Sequence, residues 1–406
     1  MSRTISVVFL TVAGALVAPA AASPRSDPTL GTAVFTGAAT QHPTSVTLNP
    51  ATVGLGSGTT VYLGATATID QVGATTPVAG AQKVLSGSPG LDAALSWRVS
   101  DLVALGIRAA SPVAETFFAP SDNSMRFASL GGRQRDYQFT PAVAFRTQRV
   151  VMGLAFTLGR SNIKYKFSRD TALDGSLMPC DNAPCGVANP LAAQDYDLDV
   201  SSSIVSNIAV SVGTIVKVTP GIYIGLGYHW APGFNIASSL TGELRVKQPS
   251  NNGGQIITGS AELTTSYPAG IDAEVRSEIN PRWEAHLGGR WLDLSRLSAF
   301  DIRPYGAELR KANVPEWIQR ARGFDDSVAL WGGVEEIDRG NPLRFGARIG
   351  FETSSVTPAR TTITTIAGAT LTAQGGGQWR FAPGWSVAAH YGFTYYLPRT
   401  ISSDAT

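Results

Sequence analysis

Leu343-Arg344-Phe345-Gly346-Ala347-Arg348-Ile349-Gly350-Phe351-Glu352 is the stretch that decides the fold class. In an extended chain, successive side chains point to opposite sides. Leu343, Phe345, Ala347, Ile349 and Phe351 therefore share one face, and Arg344, Gly346, Arg348, Gly350 and Glu352 share the other. A helix would bring apolar residues back at intervals of three and four, which this stretch does not do. The same period of two runs through Trp385, Val387, Ala389, Tyr391, Phe393 and Tyr395, with His390 on the polar side. Upstream, Val61, Leu63, Ala65, Ala67 and Ile69 alternate with Tyr62, Gly64, Thr66, Thr68 and Asp70.

Working outward, the pattern recurs over Leu91–Arg98, Leu102–Ala110, Tyr137–Arg146, Val150–Tyr165, Val200–Gly213, Gly221–Trp230 and Leu263–Arg276. It continues over Arg282–Leu294, Asp326–Glu336, Pro342–Glu352, Thr370–Phe381 and Trp385–Leu397. A soluble sandwich also alternates. Two features favour a transmembrane antiparallel β-barrel instead: strands of roughly ten residues, and aromatic residues at strand ends, as an interfacial girdle requires. Those residues are Tyr137, Trp230, Trp283, Trp291, Trp385 and Tyr395. Connections alternate between short turns such as Val99-Ser100-Asp101, Thr147-Gln148-Arg149 and Ala382-Pro383-Gly384 and long polar stretches. The long ones are Gln71–Gly90, Ser111–Asp136, Lys166–Asp199, Ala231–Glu262, Ser295–Asp325 and Thr353–Ala369. Short periplasmic turns and long outer loops are the outer-membrane arrangement.

Composition agrees. Charged residues make up 15% of the 406 and apolar ones 43%, with 43 Gly. A lipid-facing wall explains so low a charge. The net charge of +2 leaves no argument for a nucleic-acid partner. Met1 to Ala22 reads as a secretory signal: Arg3 supplies the basic start, Ile5 to Val17 the apolar core, and Ala20-Ala21-Ala22 the cleavage site. Its apolar part is too short for a spanning helix, and no other run approaches that length. The two cysteines, Cys180 and Cys185, lie in a polar stretch between the fifth and sixth strands. In an oxidising compartment a local disulfide is expected; metal binding is the lesser reading, and neither a metal nor another cofactor is expected.

Before the first strand stands Thr47-Leu48-Asn49-Pro50-Ala51, between the small-residue run Gly31 to Ala39 and Gly54-Leu55-Gly56-Ser57-Gly58. Proline fixes φ at Pro50 and pushes Asn49 towards extended geometry. The stretch reads either as an ordinary turn before a strand or as the heart of a plug around which a barrel closes. The expected organisation is a signal over 1–22, a hatch over 23–57 and a barrel over 58–406.

In these residues the chain resembles the FadL/TodX outer-membrane transport proteins. Asn49-Pro50-Ala51 matches the family's hatch motif just before its first strand. Tyr267-Pro268-Ala269-Gly270, Asn280-Pro281-Arg282-Trp283, Arg322-Gly323-Phe324-Asp325-Asp326 with the hairpin Val328 to Phe351, and Tyr391 to Ile401 follow in order. The resemblance implies a fourteen-stranded barrel with an N-terminal hatch in its lumen. It also implies uptake of long-chain fatty acids or other hydrophobic compounds, hatch movement on ligand binding, and a sideways exit near the third strand. The candidate interruption there is Ser111-Pro112, which is equally readable as the simple end of the strand. Only thirteen strands can be drawn from this sequence, so a closing strand is expected to be missing and the edges of the first and thirteenth unpaired.

An apolar solute crossing a polar lipopolysaccharide layer needs an apolar route rather than a water-filled pore. Candidate groove residues are Leu173, Leu177 and Met178 in one loop, and Phe234, Ile236 and Leu240 in another; they could equally pack the loops on themselves. A fatty-acid carboxylate wants a cation in the lumen. Arg290, Arg344 and Arg348 are predicted to face inward, as are Glu284, Asp272 and Glu352, so the arginines are either ligand contacts or members of a structural network. Four His (His42, His229, His286, His390) have no marked partner serine, and no nucleophile elbow or phosphate loop appears, so no enzyme is expected. The expected protein is a monomeric outer-membrane channel of a Gram-negative bacterium, meeting membrane lipid, lipopolysaccharide and a hydrophobic ligand. The alternatives are a structural or adhesion barrel, or a general porin.

Overall fold

The alternation becomes ladder in the computed structural model, which describes residues 5–14, 34–76, 80–118, 130–170, 193–203, 208–230, 238–249, 253–265, 268–297, 299–321, 324–337, 340–356 and 368–398. The strands in chain order are β1 (Ile5–Gly14), β2 (Thr59–Thr76), β3 (Gly80–Arg98), β4 (Val103–Phe118), β5 (Gly131–Arg146), β6 (Val150–Asp170) and β7 (Ala193–Ser202). Then come β8 (Ile208–Thr219), β9 (Ile222–His229), β10 (Ser238–Lys247), β11 (Ile256–Thr265), β12 (Gly270–Glu278) and β13 (Trp283–Leu292). The last are β14 (Ala299–Tyr305), β15 (Ile318–Ala321), β16 (Ser327–Glu336), β17 (Leu343–Glu352), β18 (Thr370–Ala382) and β19 (Trp385–Tyr396), with one short helix, α1 (Ala307–Lys311).

Thirteen of these strands form the wall, each antiparallel to the next: β2 to β6, then β8, β9, β12, β13 and β16 to β19. The wall closes through β1, which lies between β19 and β2 and runs parallel to both. The expectation of unpaired edges on the first and thirteenth strands is therefore corrected. With an odd number of alternating strands, β2 and β19 point the same way, so a single strand between them is parallel to both or antiparallel to both.

The face expected to meet lipid does so. Leu343, Phe345, Ile349 and Phe351 are exposed, while Arg344, Arg348 and Glu352 between them are partly covered. Such rows of exposed apolar side chains along the wall strands suit hydrocarbon rather than water. Trp230, Trp385 and Tyr395 are exposed at strand ends, whereas Tyr137, expected at one, is exposed in the middle of β5; Trp379, Phe381 and Trp385 cluster beside the last short turn.

The long connections are more ordered than the sequence suggested. Gln71–Gly90 is largely strand, because β2 and β3 pair without interruption from Thr59↔Trp97 to Thr76↔Gly80. Val200–Gly213 and Leu263–Arg276, each expected as one strand, are two. The first divides into β7 and β8, the second into β11 and β12 with Pro268, which has no N–H to donate, before the new start. The division splits the wall above β6. Its first half pairs with β8 and its second with β7. From β7 a second sheet continues through β10, β11, β14 and β15, at the end of the barrel opposite the short turns. One face of this cap is apolar and buried. Tyr165, Phe167, Tyr196, Leu198, Leu244 and Ile302 lie in it, with Tyr396 of β19 packed alongside. Phe167 stacks on Tyr196 with ring centres 4.8 Å apart.

Candidate functional site

Val34 to Gly56 lies against the wall on the side away from the exposed apolar residues. Two short 3-10 turns shape it, Pro43–Thr47 and Pro50–Leu55. Each opens on proline with a polar cap before it, since proline has no N–H to leave unpaired in a first turn. His42 caps the first by accepting from Thr44 N, and Asn49 caps the second by accepting from Ala51 N at 3.0 Å. The Asn49 amide also donates to Ala38 O at 2.7 Å and to Thr214 O of β8 at 3.0 Å. Its side chain, wholly buried, thus ties together two parts of the segment and the wall.

The wall makes room for this backbone with glycine. A methyl group at Gly153 would overlap the Pro50–Ala51 peptide, at Gly213 Asn49 Oδ1, at Gly225 Ala38 O, and at Gly227 Leu48 O. Gly106 faces Val53, and Gly346 faces Val34. Their strand neighbours Leu105, Ile107, Met152, Val212, Ile224 and Leu226 are exposed on the other face, which places the segment inside the barrel.

Polar side chains of the wall complete the seat. Arg108 of β4 and Asp92 of β3 form a two-pronged pair at 2.8 and 2.7 Å, with both side chains only 2% exposed. Arg108 also donates to Thr44 O at 3.4 Å and to Thr47 Oγ1. Arg146 donates to Gly54 O at 3.3 Å. His229 Nε2 donates to Leu48 O at 2.9 Å and stands 3.2 Å from Asp272 Oδ2. Glu274 accepts from Ala38 N at 3.0 Å and Thr40 Oγ1 at 2.9 Å. Phe35 meets His390 edge-on at 5.2 Å.

Just above Arg108 the wall is interrupted. β4 does not end at Ala110 but runs to Phe118, and its ladders slip on both sides. Register with β3 shifts between Gly87 and Asp92, and with β5 between Ala110 and Val113. Ser111-Pro112 sits at this double slip, so the reading as a simple strand end is corrected. Proline cannot donate to the ladder there.

The sequence model of the outer membrane protein transport protein family (OMPP1/FadL/TodX) matches residues 9–403. The chain belongs to this family. The family is one of outer-membrane transport proteins rather than enzymes, and this member is an outer-membrane protein. Among solved structures, a Pseudomonas aeruginosa FadL homologue is similar with TM-score 0.72 and 14% identity, over 97% of this chain and 94% of that one. The CymD monoaromatic hydrocarbon channel is similar with TM-score 0.63 and 17% identity, over 90% and 92%. The Pseudomonas putida toluene transporter TodX is similar with TM-score 0.62 and 13% identity, over 85% and 86%. A comparison of the sequence with curated proteins finds no match.

In this family member, Asn49, Pro50 and Ala51 stand together at the centre of the seat, and the three inward arginines are spread over different depths. Arg290 holds Asp272 at 2.7 Å near the cap end of β13. Arg344, near the short-turn end of β17, pairs with Glu335 and donates to Glu336 O at 2.8 Å. Between them Arg348 lies over the Trp331 ring at 4.3 Å. Leu240 is wholly buried in the cap core. Phe234, Ile236, Leu173, Leu177, Met178, Cys180 and Cys185 lie outside the described residues. Asp92, Arg108, Glu274 and His229 were missed as site residues. A signal existed for the first two: opposite charges on the inward faces of consecutive strands joined by the short turn Val99 to Asp101.

Proposed function

We propose that this protein is an outer-membrane channel for uptake of hydrophobic solutes, with Val34 to Gly56 as its movable hatch. The observation that carries the reading is the way Asn49 is held. A fully buried amide makes three hydrogen bonds, yet only one, to Thr214 O, crosses from segment to wall through that side chain. The segment is docked on the wall by polar contacts, glycine fit and a small apolar cluster in which Val46, Ala51 and Val53 meet Ala104, Ala144, Val151 and Ile215, contacts that can be exchanged for solute contacts without unfolding the barrel.

The solute enters through the apolar face of the cap, where water is excluded and an apolar molecule keeps its preference over bulk solvent. It leaves sideways at Ser111-Pro112, where the wall has lost ladder bonds. The relatives' names support a hydrophobic cargo: two are a monoaromatic hydrocarbon channel and a toluene transporter. Long-chain fatty acids and aromatic hydrocarbons both suit this route. For a fatty acid, Arg290, Arg348 and Arg344 offer its carboxylate cations at successive depths. Leu240 of the cap core, and Phe234 and Ile236 shortly before it in the chain, are proposed to belong to the entrance.

Two measurements on one preparation test the reading. Cells producing the protein should take up labelled oleate or toluene faster than cells without it, and the purified barrel should show little ion conductance in planar bilayers. Large conductance without uptake would make it a general porin. Neither uptake nor conductance would leave a structural or adhesion barrel.

A further inference from the structure

Beneath the hatch, on the inward faces of β13 and β16, Glu284 and Glu335 are directly opposite each other across the strand pair, and His286 stands two residues on from Glu284. Like charges directly opposed on neighbouring strands repel, and here both carboxylates are buried. Each is engaged on one side only. Arg276 Nε approaches Glu284 Oε1 at 2.6 Å, and Arg344 pairs with Glu335 Oε1. Oε2 of Glu284, Oε2 of Glu335 and Nε2 of His286 are buried without a hydrogen-bond partner. The Glu284 side chain is wholly inaccessible.

The spacing is informative. His286 Nε2 lies 3.4 Å from Glu284 Oε1 and 3.5 Å from Glu335 Oε2, long for hydrogen bonds. Donors held about 2.1 Å from a tetrahedral ion stand about 3.4 Å from one another. One ligand atom from each of the three residues lies within 4.8 Å of the other two, so the third edge needs only a small closure. A single imidazole with two carboxylates suits zinc-like divalent cations, whereas magnesium and calcium prefer oxygen alone. A fourth position remains for water.

The surroundings complete the pattern. A metal-bound imidazole turns its other nitrogen towards a carboxylate, which fixes the ring. His286 Nδ1 is 3.7 Å from Glu274 Oε1. Glu274 is the residue that accepts from Ala38 N and Thr40 Oγ1 of the hatch. The site is reachable, since His286 and Arg276 keep a little exposure.

We propose that Glu284, His286 and Glu335 bind one divalent transition-metal ion, Zn²⁺ being the probe of choice, and that Glu274 couples this ion to the docked hatch. The inference rests on the wall and hatch geometry and is read by metal binding, so it stands or falls apart from the transport reading. Untagged barrel folded in detergent is stripped with chelator and titrated with Zn²⁺ by calorimetry, with metal content measured by mass spectrometry. One ion per barrel is expected. Glu284→Gln, His286→Gln and Glu335→Gln should each weaken binding at least tenfold, and Glu274→Gln by about 10–100-fold. Asp199→Asn, on the cap, should change nothing. Retained folding is read from heat-modifiable mobility on a gel. Should a variant fail to fold, X-ray absorption of the zinc-loaded wild type decides instead: one imidazole in a nitrogen and oxygen shell is expected. No binding, binding that survives Glu284→Gln with Glu335→Gln, or a sulfur shell would overturn the proposal. In the first case His286 is simply a side chain held between its carboxylates.

Discussion

Asn49→Ala removes two donated hydrogen bonds and one accepted one from a side chain with no access to water. Leaving buried groups unpaired costs about 1–3 kcal/mol each, all of it at the hatch. The expected result is normal amounts of heat-modifiable barrel, raised ion conductance in planar bilayers and slower uptake of oleate or toluene. Unchanged conductance and uptake would reduce Asn49-Pro50-Ala51 to a turn. Arg108 behaves differently, since its loss strands the buried Asp92 charge. Arg108→Ala should destabilise the barrel by about 3–5 kcal/mol in urea, and Arg108→Met with Asp92→Leu should recover most of that. A double variant no more stable than the single would show that the pair is not the source. The Asn49 motif could be read in the sequence because proline and a capping amide announce themselves locally. Glu274 and His229 could not, because what makes them matter is the hatch backbone, more than two hundred residues before Glu274. Strand alternation says only which way a side chain points, never what it meets.

At the scale of the element, β4 slips against both of its neighbours. Both ladders slip at Ser111-Pro112, and the ion pair of Arg108 with Asp92 sits below the slip. Pro112→Val supplies the missing N–H and favours a continuous ladder. It should slow solute uptake while raising protection of β4 amides in hydrogen exchange; uptake at the normal rate would place the exit elsewhere. Strand positions in the wall were legible because lipid outside and polar or glycine surface inside impose a strict period of two. The cap was not. Its strands alternate too, but Lys166, Asp197, Asp199, Glu243 and Arg245 stand between the apolar residues, and the stretches read as polar loop. The Gln71–Gly90 hairpin failed for another reason. Ser86-Gly87-Ser88-Pro89-Gly90 has low strand preference, and pairing with β2, joined at Ser86 and Gly87 by β4, keeps it extended.

For the whole molecule, closure between β19 and β2 depends on β1, the stretch read as the apolar core of a secretory signal. In lipid every open strand edge leaves groups unsatisfied at several kcal/mol each. Refolding residues 23–406 should therefore give less heat-modifiable barrel than the full chain, and an added aromatic-ended strand at the C-terminus should restore it. Equal yields throughout would mean that β2 and β19 can meet directly. The glycines that seat the hatch carry a different consequence, one for heredity. A surface that touches lipid accepts almost any apolar side chain, so drift along Leu343, Phe345 or Ile349 goes unnoticed by selection. Gly153, Gly225 and Gly227 have no such latitude, because each faces main-chain atoms that every amino acid shares. No compensating change in the hatch sequence can make way for a side chain there. Saturation mutagenesis under selection for growth on a hydrophobic carbon source should find the barrel's outside permissive and these three positions nearly silent.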